Sequence, residues 1–146
     1  MPTIDVTARS SAPAERVYAL LADGATWPAW SPLGSFRLER PGADAAEGVG
    51  AIRVFRTGRF TSREEIVELV EGRRLGYALL SGLPLRGYRA NVDLTPGPDG
   101  TVIRWRSVFT AKVPGTGWLF AWALGTFIRR CADGLARHAA QARTAG

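Results

Sequence analysis

The sequence predicts an α+β fold in which a curved antiparallel sheet of about seven strands wraps around one long C-terminal helix. Three observations point to it. The middle of the chain is a run of short alternating segments joined by Gly- and Pro-containing turns. Only one segment, Trp118 to about Ala142, reads as a long helix. An antiparallel meander leaves one face bare, and that helix is the only element long enough to cover it.

Ile4, Val6 and Ala8 alternate with Asp5, Thr7 and Arg9, which gives a half-buried first strand over Ile4–Ser10. A helix follows. Pro13 suits its first position, Glu15 can reach back to free amides, and Val17, Leu20 and Leu21 supply one apolar face before Asp23-Gly24 stops it. The segment Thr26-Trp27-Pro28-Ala29-Trp30-Ser31-Pro32 is too rich in proline for a long helix and too aromatic for an ordinary loop, and reads as a second short helical element. Six strands come next: Phe36–Arg40, Ala51–Arg56, Thr61–Val70, Leu75–Ser81, Tyr88–Thr95 and Thr101–Ala111. Thr57-Gly58 and the run Pro96 to Gly100 are hairpin signals between neighbours.

The chain has 146 residues, 46% of them hydrophobic and 22% charged, which fits one globular domain spanning residues 1–146. No segment has the roughly 18 apolar residues of a membrane span. The opening residues carry no basic and apolar leader, and the one cysteine, Cys131, excludes an internal disulfide; both favour a cytoplasmic protein. The net charge of +6 comes almost wholly from arginine, Lys112 being the only lysine. Basic residues alternate with acids (Arg63-Glu64-Glu65, Glu71-Gly72-Arg73-Arg74), so no nucleic-acid partner is expected.

Strand alternation nominates the wall of an internal cavity. Arg104 and Arg106 belong outside, which turns Ile103, Trp105, Ser107 and Phe109 inward. By the same reasoning Tyr88, Ala90, Val92 and Leu94 face in, as do Leu75, Tyr77 and Leu79. On the long helix Phe120, Leu124, Phe127, Cys131 and Leu135 form the gripped face, and Trp27 and Trp30 are placed near the mouth. Two strands stay open. Either Ile52, Val54 and Arg56 or Arg53 and Phe55 point inward, and Glu64, Ile66 and Glu68 oppose Arg63, Glu65 and Val67. Val54 is taken as a wall residue, with Arg56 and Glu65 as a candidate inward ion pair beside Tyr77, Tyr88 and Ser107.

Much familiar chemistry is missing from the sequence. A single histidine, His138, and a single cysteine make no metal-ligand set, and His138 on the last helical turns is read as a surface residue. Neither a metal nor another cofactor is expected. Gly48-Val49-Gly50 is not followed by a helix and reads as a turn, without the phosphate-cradling context. Catalysis, if there is any, has to use carboxylate, tyrosine or arginine as acid and base.

Several segments resemble the SRPBCC superfamily, which includes START lipid-transfer domains, birch-pollen-allergen-like proteins and polyketide cyclases/dehydrases. They are the run Ser11 to Asp23, Trp27-Pro28-Ala29-Trp30, Gly72 to Tyr77, Gly100 to Trp105, and the end of the long helix at Gly134 to Arg137. The resemblance covers essentially the whole chain and looks nearest to the polyketide cyclase/dehydrase and lipid-transport branch. It implies a helix-grip fold whose cavity takes a lipid, polyketide or other aromatic metabolite. Trp27 falls on the family's tryptophan. The arginines of aromatic cyclases fall near Ile66 and Leu79 and their tyrosine near Leu33 or Gly34, so that catalytic set does not transfer. Two functions are expected to compete: a carrier or sequestering domain for a hydrophobic small molecule, and a cofactor-independent cyclase- or dehydratase-like enzyme using Tyr77, Tyr88, Ser107 or the Arg56/Glu65 pair. A third reading has Trp118 and Trp122, four residues apart, dock on a membrane or partner; the favoured alternative packs them under Trp27–Pro32 to close the mouth. Either a monomer or a homodimer fits.

Overall fold

The computed structural model describes residues 3–145. Seven strands form one antiparallel sheet in the order β1-β7-β6-β5-β4-β3-β2. They are β1 (Thr3–Ser10), β2 (Ser35–Arg40), β3 (Ile52–Thr57), β4 (Phe60–Val70), β5 (Arg74–Ser81), β6 (Leu85–Gly97) and β7 (Gly100–Ala111). Between β1 and β2 lie α1 (Ala14–Ala22), a 3₁₀ turn (Gly24–Thr26) and the one-turn helix α2 (Trp27–Trp30); α3 (Gly117–Ala145) follows β7. The sheet is a meander from β2 to β7, and β1 closes onto β7 with Ile4, Val6, Ala8 and Ser10 turned inward and buried. This is the predicted architecture, with strand ends shifted by a few residues.

Pro13 sits one position earlier than predicted. It is the N-cap of α1, in extended backbone, and its carbonyl accepts from the amides of Arg16 and Val17. At the other end of the helix, the guanidinium of Arg53 donates to the carbonyls of Leu21 (3.0 Å) and Ala22 (2.5 Å), two acceptors a helix C-terminus leaves open.

α3 has two halves with different work. Ile128, Cys131, Ala132, Leu135, Ala136 and Ala139 are fully or almost fully buried against β1, β7, α1 and α2. Small residues here let the helix approach closely, and Ser10 Oγ fastens it by donating to the carbonyl of Ala136 (2.8 Å). Phe120, Leu124 and Phe127, in the first half, are only partly buried.

Two helical glycines of α3 make opposite predictions. A Cβ on Gly134 would collide with the backbone carbonyl oxygen of Trp30, whereas one on Gly125 would meet nothing within 4 Å. Gly134→Ala is expected to cost about 2 kcal/mol or more through forced separation of α2 and α3. Gly125→Ala should gain up to about 1 kcal/mol from helix propensity. Urea unfolding of the two variants checks this, and equal effects would contradict the close approach.

Candidate ligand cavity

A cavity of about 370 Å³ opens between the sheet and the first half of α3. Phe120, Ala123, Leu124 and Phe127 form its helical wall, and Phe55, Tyr77, Leu79 and Tyr88 its sheet wall. Pro32, Leu33, Phe60 and Leu83 stand at the end where the β3–β4 turn, the β5–β6 connection and the start of α3 come together. Of the residues nominated from sequence, Tyr77, Leu79, Tyr88, Phe120, Leu124 and Phe127 therefore meet around one space.

The other nominated aromatic residues lie behind that space. Trp27 and Trp30 are buried, so placing them near the mouth was incorrect. Their rings are 4.6 Å apart, and Trp27 lies 5.1 Å from Phe55 and 5.8 Å from Trp105. Their N–H groups are internally satisfied: Trp27 Nε1 donates to the Leu21 carbonyl and Trp30 Nε1 to Thr26 Oγ1. Val92, Trp105 and Phe109 are buried in this same core and leave the cavity to Tyr77 and Tyr88. Burial of indole rings with their donors paired has made a solid floor where alternation alone suggested open wall.

The two strands left open resolve against the Val54, Arg56 and Glu65 nominations. Arg53 and Phe55 point inward, and Val54 lies on the opposite face, between its register neighbours Arg37 and Arg63. Arg56 is exposed at the end of β3. Glu65 faces outward, 3.9 Å from the exposed Arg40. The inward carboxylate is Glu64, paired in register with Arg53 and lining the cavity. β4 breaks simple alternation: its register with β5 shifts between Arg63 and Glu64 and again between Ile66 and Glu68. Such bulges let Glu64 and Ile66 face in while Glu68 turns out to Arg74 and Arg89.

Glu64 is the one ionisable carboxyl among the lining residues. Burial pushes its pKa up to about 7, and the positive charge of Arg53 opposes that rise. Arg53 is only 2% exposed and holds its charge through an ion pair with Glu47 (3.0 Å) and the Trp27 ring at 5.8 Å. The Tyr77 hydroxyl accepts from Trp105 Nε1 at 3.3 Å. Desolvation raises the pKa of both tyrosines, and the Glu64 charge adds to each rise, so they are neutral hydrogen-bonding groups beside the carboxyl. Ser107 is buried behind the cavity wall, where its hydroxyl neighbours that of Tyr88. Cys131 is buried, and desolvation pushes its thiol pKa up. His138 is half-buried in a surface groove with Trp30 and Gly134. Among the described residues no His, Cys, Asp and Glu cluster could hold a metal ion.

A curved antiparallel sheet, a long covering helix and an apolar cavity between them define a helix-grip domain. The sequence matches the family described as polyketide cyclase/dehydrase and lipid transport over residues 1–140, and the chain belongs to that family. Solved structures share the fold. A START superfamily protein from Mycobacterium smegmatis has a TM-score of 0.82 at 16% identity, over 97% of this chain and 99% of that one. A Thermobifida fusca protein has a TM-score of 0.74 at 24% identity, over 94% and 95% of the two chains. The di-domain ARO/CYC StfQ from the steffimycin biosynthetic pathway has a TM-score of 0.74 at 18% identity, over 99% of this chain and 53% of that one. No curated protein matches the sequence. Family and fold together make the chain a hydrophobic-ligand-binding or cyclase-like SRPBCC domain.

Proposed function

We propose that the chain binds a hydrophobic small molecule, a lipid, polyketide or other aromatic metabolite, in this cavity as a carrier or sequestering domain. The observation that supports it is an apolar space of about 370 Å³ whose interior polar groups gather on one side, at Glu64, Tyr77 and Tyr88. Ligand sites are typically of this kind, apolar walls giving affinity and a few polar groups giving orientation. A ligand with an apolar body and a single carbonyl or hydroxyl matches it.

Fluorescence titration with 1-anilinonaphthalene-8-sulfonate tests the reading. The dye should bind the native protein, and Leu124→Trp, which fills the cavity from α3, should weaken binding about tenfold or more while circular dichroism is unchanged. Equal dye binding by the variant would sink it.

A second reading rests on Glu64 itself. A carboxyl that titrates near 7 is suited to take a proton at neutral pH, and the neutral Tyr77 and Tyr88 hydroxyls could hydrogen-bond the oxygen of the enolate so formed. That is the first half of a cyclase or dehydratase reaction. Solvent-deuterium exchange at the α-carbon of a bound aromatic ketone, followed by NMR, separates enzyme from carrier: exchange abolished by Glu64→Gln marks the enzyme, and no exchange above buffer marks the carrier.

A further inference from the structure

Trp118 and Trp122 do not close the mouth. They are 73% and 71% exposed, on the face of α3 turned away from Phe120, Leu124 and Phe127. Phe60, at the tip of the β3–β4 turn, is 72% exposed and also stands at the cavity's rim. Val113 and Leu119 are exposed beside the two tryptophans in sequence. Antiparallel pairing fixes where these residues lie. The end of β3, the start of β4, the end of β5, the start of β6 and the end of β7 all meet at one end of the sheet, from which α3 departs.

The charge at that end is of one sign. Residues 31–37, 56–63, 79–89 and 110–130 contain no Asp or Glu. Arg56, Arg59, Arg86 and Lys112 are all exposed there. Arg63 and Arg89, slightly farther along their strands, are paired with Glu39 and Glu68. The acids of the chain thus lie away from the mouth or, as Glu64 does, on the cavity's inner wall.

From this we infer that the mouth of the cavity docks on an anionic lipid surface, with Trp118, Trp122 and Phe60 entering the headgroup layer and the four basic residues facing lipid phosphates. Exposed tryptophans suit a membrane interface because the ring is apolar and its N–H finds water or headgroup oxygen. Each basic side chain near such a surface adds attraction that salt removes. A second copy of the chain fits less well, since two patches of the same positive charge would face each other. No described helix is long and apolar enough to cross a membrane, so the contact is peripheral. Phe60 carries this surface to the rim of the cavity, so docking would bring the entrance up to the bilayer.

Co-sedimentation with phosphatidylcholine vesicles, with and without 30% phosphatidylglycerol by composition (about that fraction gives a strongly anionic surface), tests the inference. The native protein should pellet with the anionic vesicles about tenfold or more in excess of the zwitterionic ones, and added salt should reverse this. Trp118→Ser/Trp122→Ser should lose the binding yet keep its fold and its dye titration, because both side chains are exposed. Tryptophan emission should shift to the blue on vesicle addition, since Trp27, Trp30 and Trp105 are already buried. A flat vesicle curve, undiminished binding by the double variant, or a dimer in sedimentation velocity that the double variant dissolves would each overturn it. Dye binding reports the cavity and sedimentation the surface, so the two proposals fail separately.

Discussion

Arg53→Ala should cost about 3–5 kcal/mol, the range for removing one partner from a buried ion pair, and lower the melting temperature by roughly 10 °C for a chain of this size. The guanidinium meets four demands at once. It donates to the Leu21 and Ala22 carbonyls at the end of α1, pairs with Glu47, and lies against Trp27. Glu47 in turn accepts from the Gly24 amide at 2.7 Å, so one charge pair ties α1, the 3₁₀ turn, the β2–β3 connection and β3 together. A cation at a helix C-terminus is also favoured by the aligned peptide dipoles. Burial lowers the Arg53 pKa and Glu47 is the main group opposing it, but an arginine keeps its proton, so truncation leaves the carboxylate without its cation and the Ala22 carbonyl without this donor, while the Leu21 carbonyl keeps only Trp27 Nε1. Arg53→Lys should recover little, because one ammonium cannot reach donors set as a planar fork. Thermal unfolding followed by circular dichroism checks both variants. A loss below about 1 kcal/mol, the worth of an exposed pair, would show that the cluster is not a structural tie.

Arg53 also shows where the sequence stops being legible. Alternation works where one parity of a strand is apolar and the other charged. In β7 the arginines 104 and 106 leave Ile103, Trp105, Ser107 and Phe109 as the inner set, and all four are buried. In β3 each parity holds an arginine, and hydrophobicity cannot choose between them. The choice is made by tertiary partners (a helix end, Glu47 and an indole face) that are 6 to 32 positions away in the chain. β4 adds a second obstacle, because its two register shifts change which residues share a face, and no turn residue in Thr61–Val70 announces them. The large rings raised a different difficulty. Their inward direction was legible at Trp105 and Phe109, but which of them pack solid depends on whether Trp27 and Trp30 enter the core from the α1–β2 connection. They do, and the open space is left where α3 carries Phe120, Ala123, Leu124 and Phe127 over the far ends of the strands.

The stability of the native protein should fall as pH rises from about 5 to 7, and Glu64→Gln should abolish that slope. The sign follows from proton binding. Unfolded, the Glu64 carboxyl releases its proton near its ordinary value of 4.5; folded, it keeps it to about 7 because ionisation within the cavity loses hydration. Between those values the native state binds the extra proton, so raising pH favours unfolding; above the folded value the penalty is constant. A shift from 4.5 to about 7 corresponds to on the order of 3 kcal/mol, and by that amount the glutamine variant should be the more stable at pH 8. The two should converge below pH 5. Carboxylates held low by arginine partners, such as Asp5 beside Arg104, act in the opposite direction and only at more acid pH, so they leave this window clear. Urea unfolding at half-unit intervals gives the slope, and a carbon-13 titration of the Glu64 carboxyl gives its cause. Parallel profiles for native and variant protein would place the carboxyl in water and remove it as a proton acceptor. A ligand adds a second reading of the same group. An apolar molecule that displaces cavity water raises the cost of the charge further, so a neutral hydrophobic ligand should bind more tightly at pH 5.5 than at pH 8, and Glu64→Gln should bind it equally at both. A ligand carrying its own cation would reverse that preference, which makes the pH dependence of binding a direct test of what chemistry the cavity was shaped to hold.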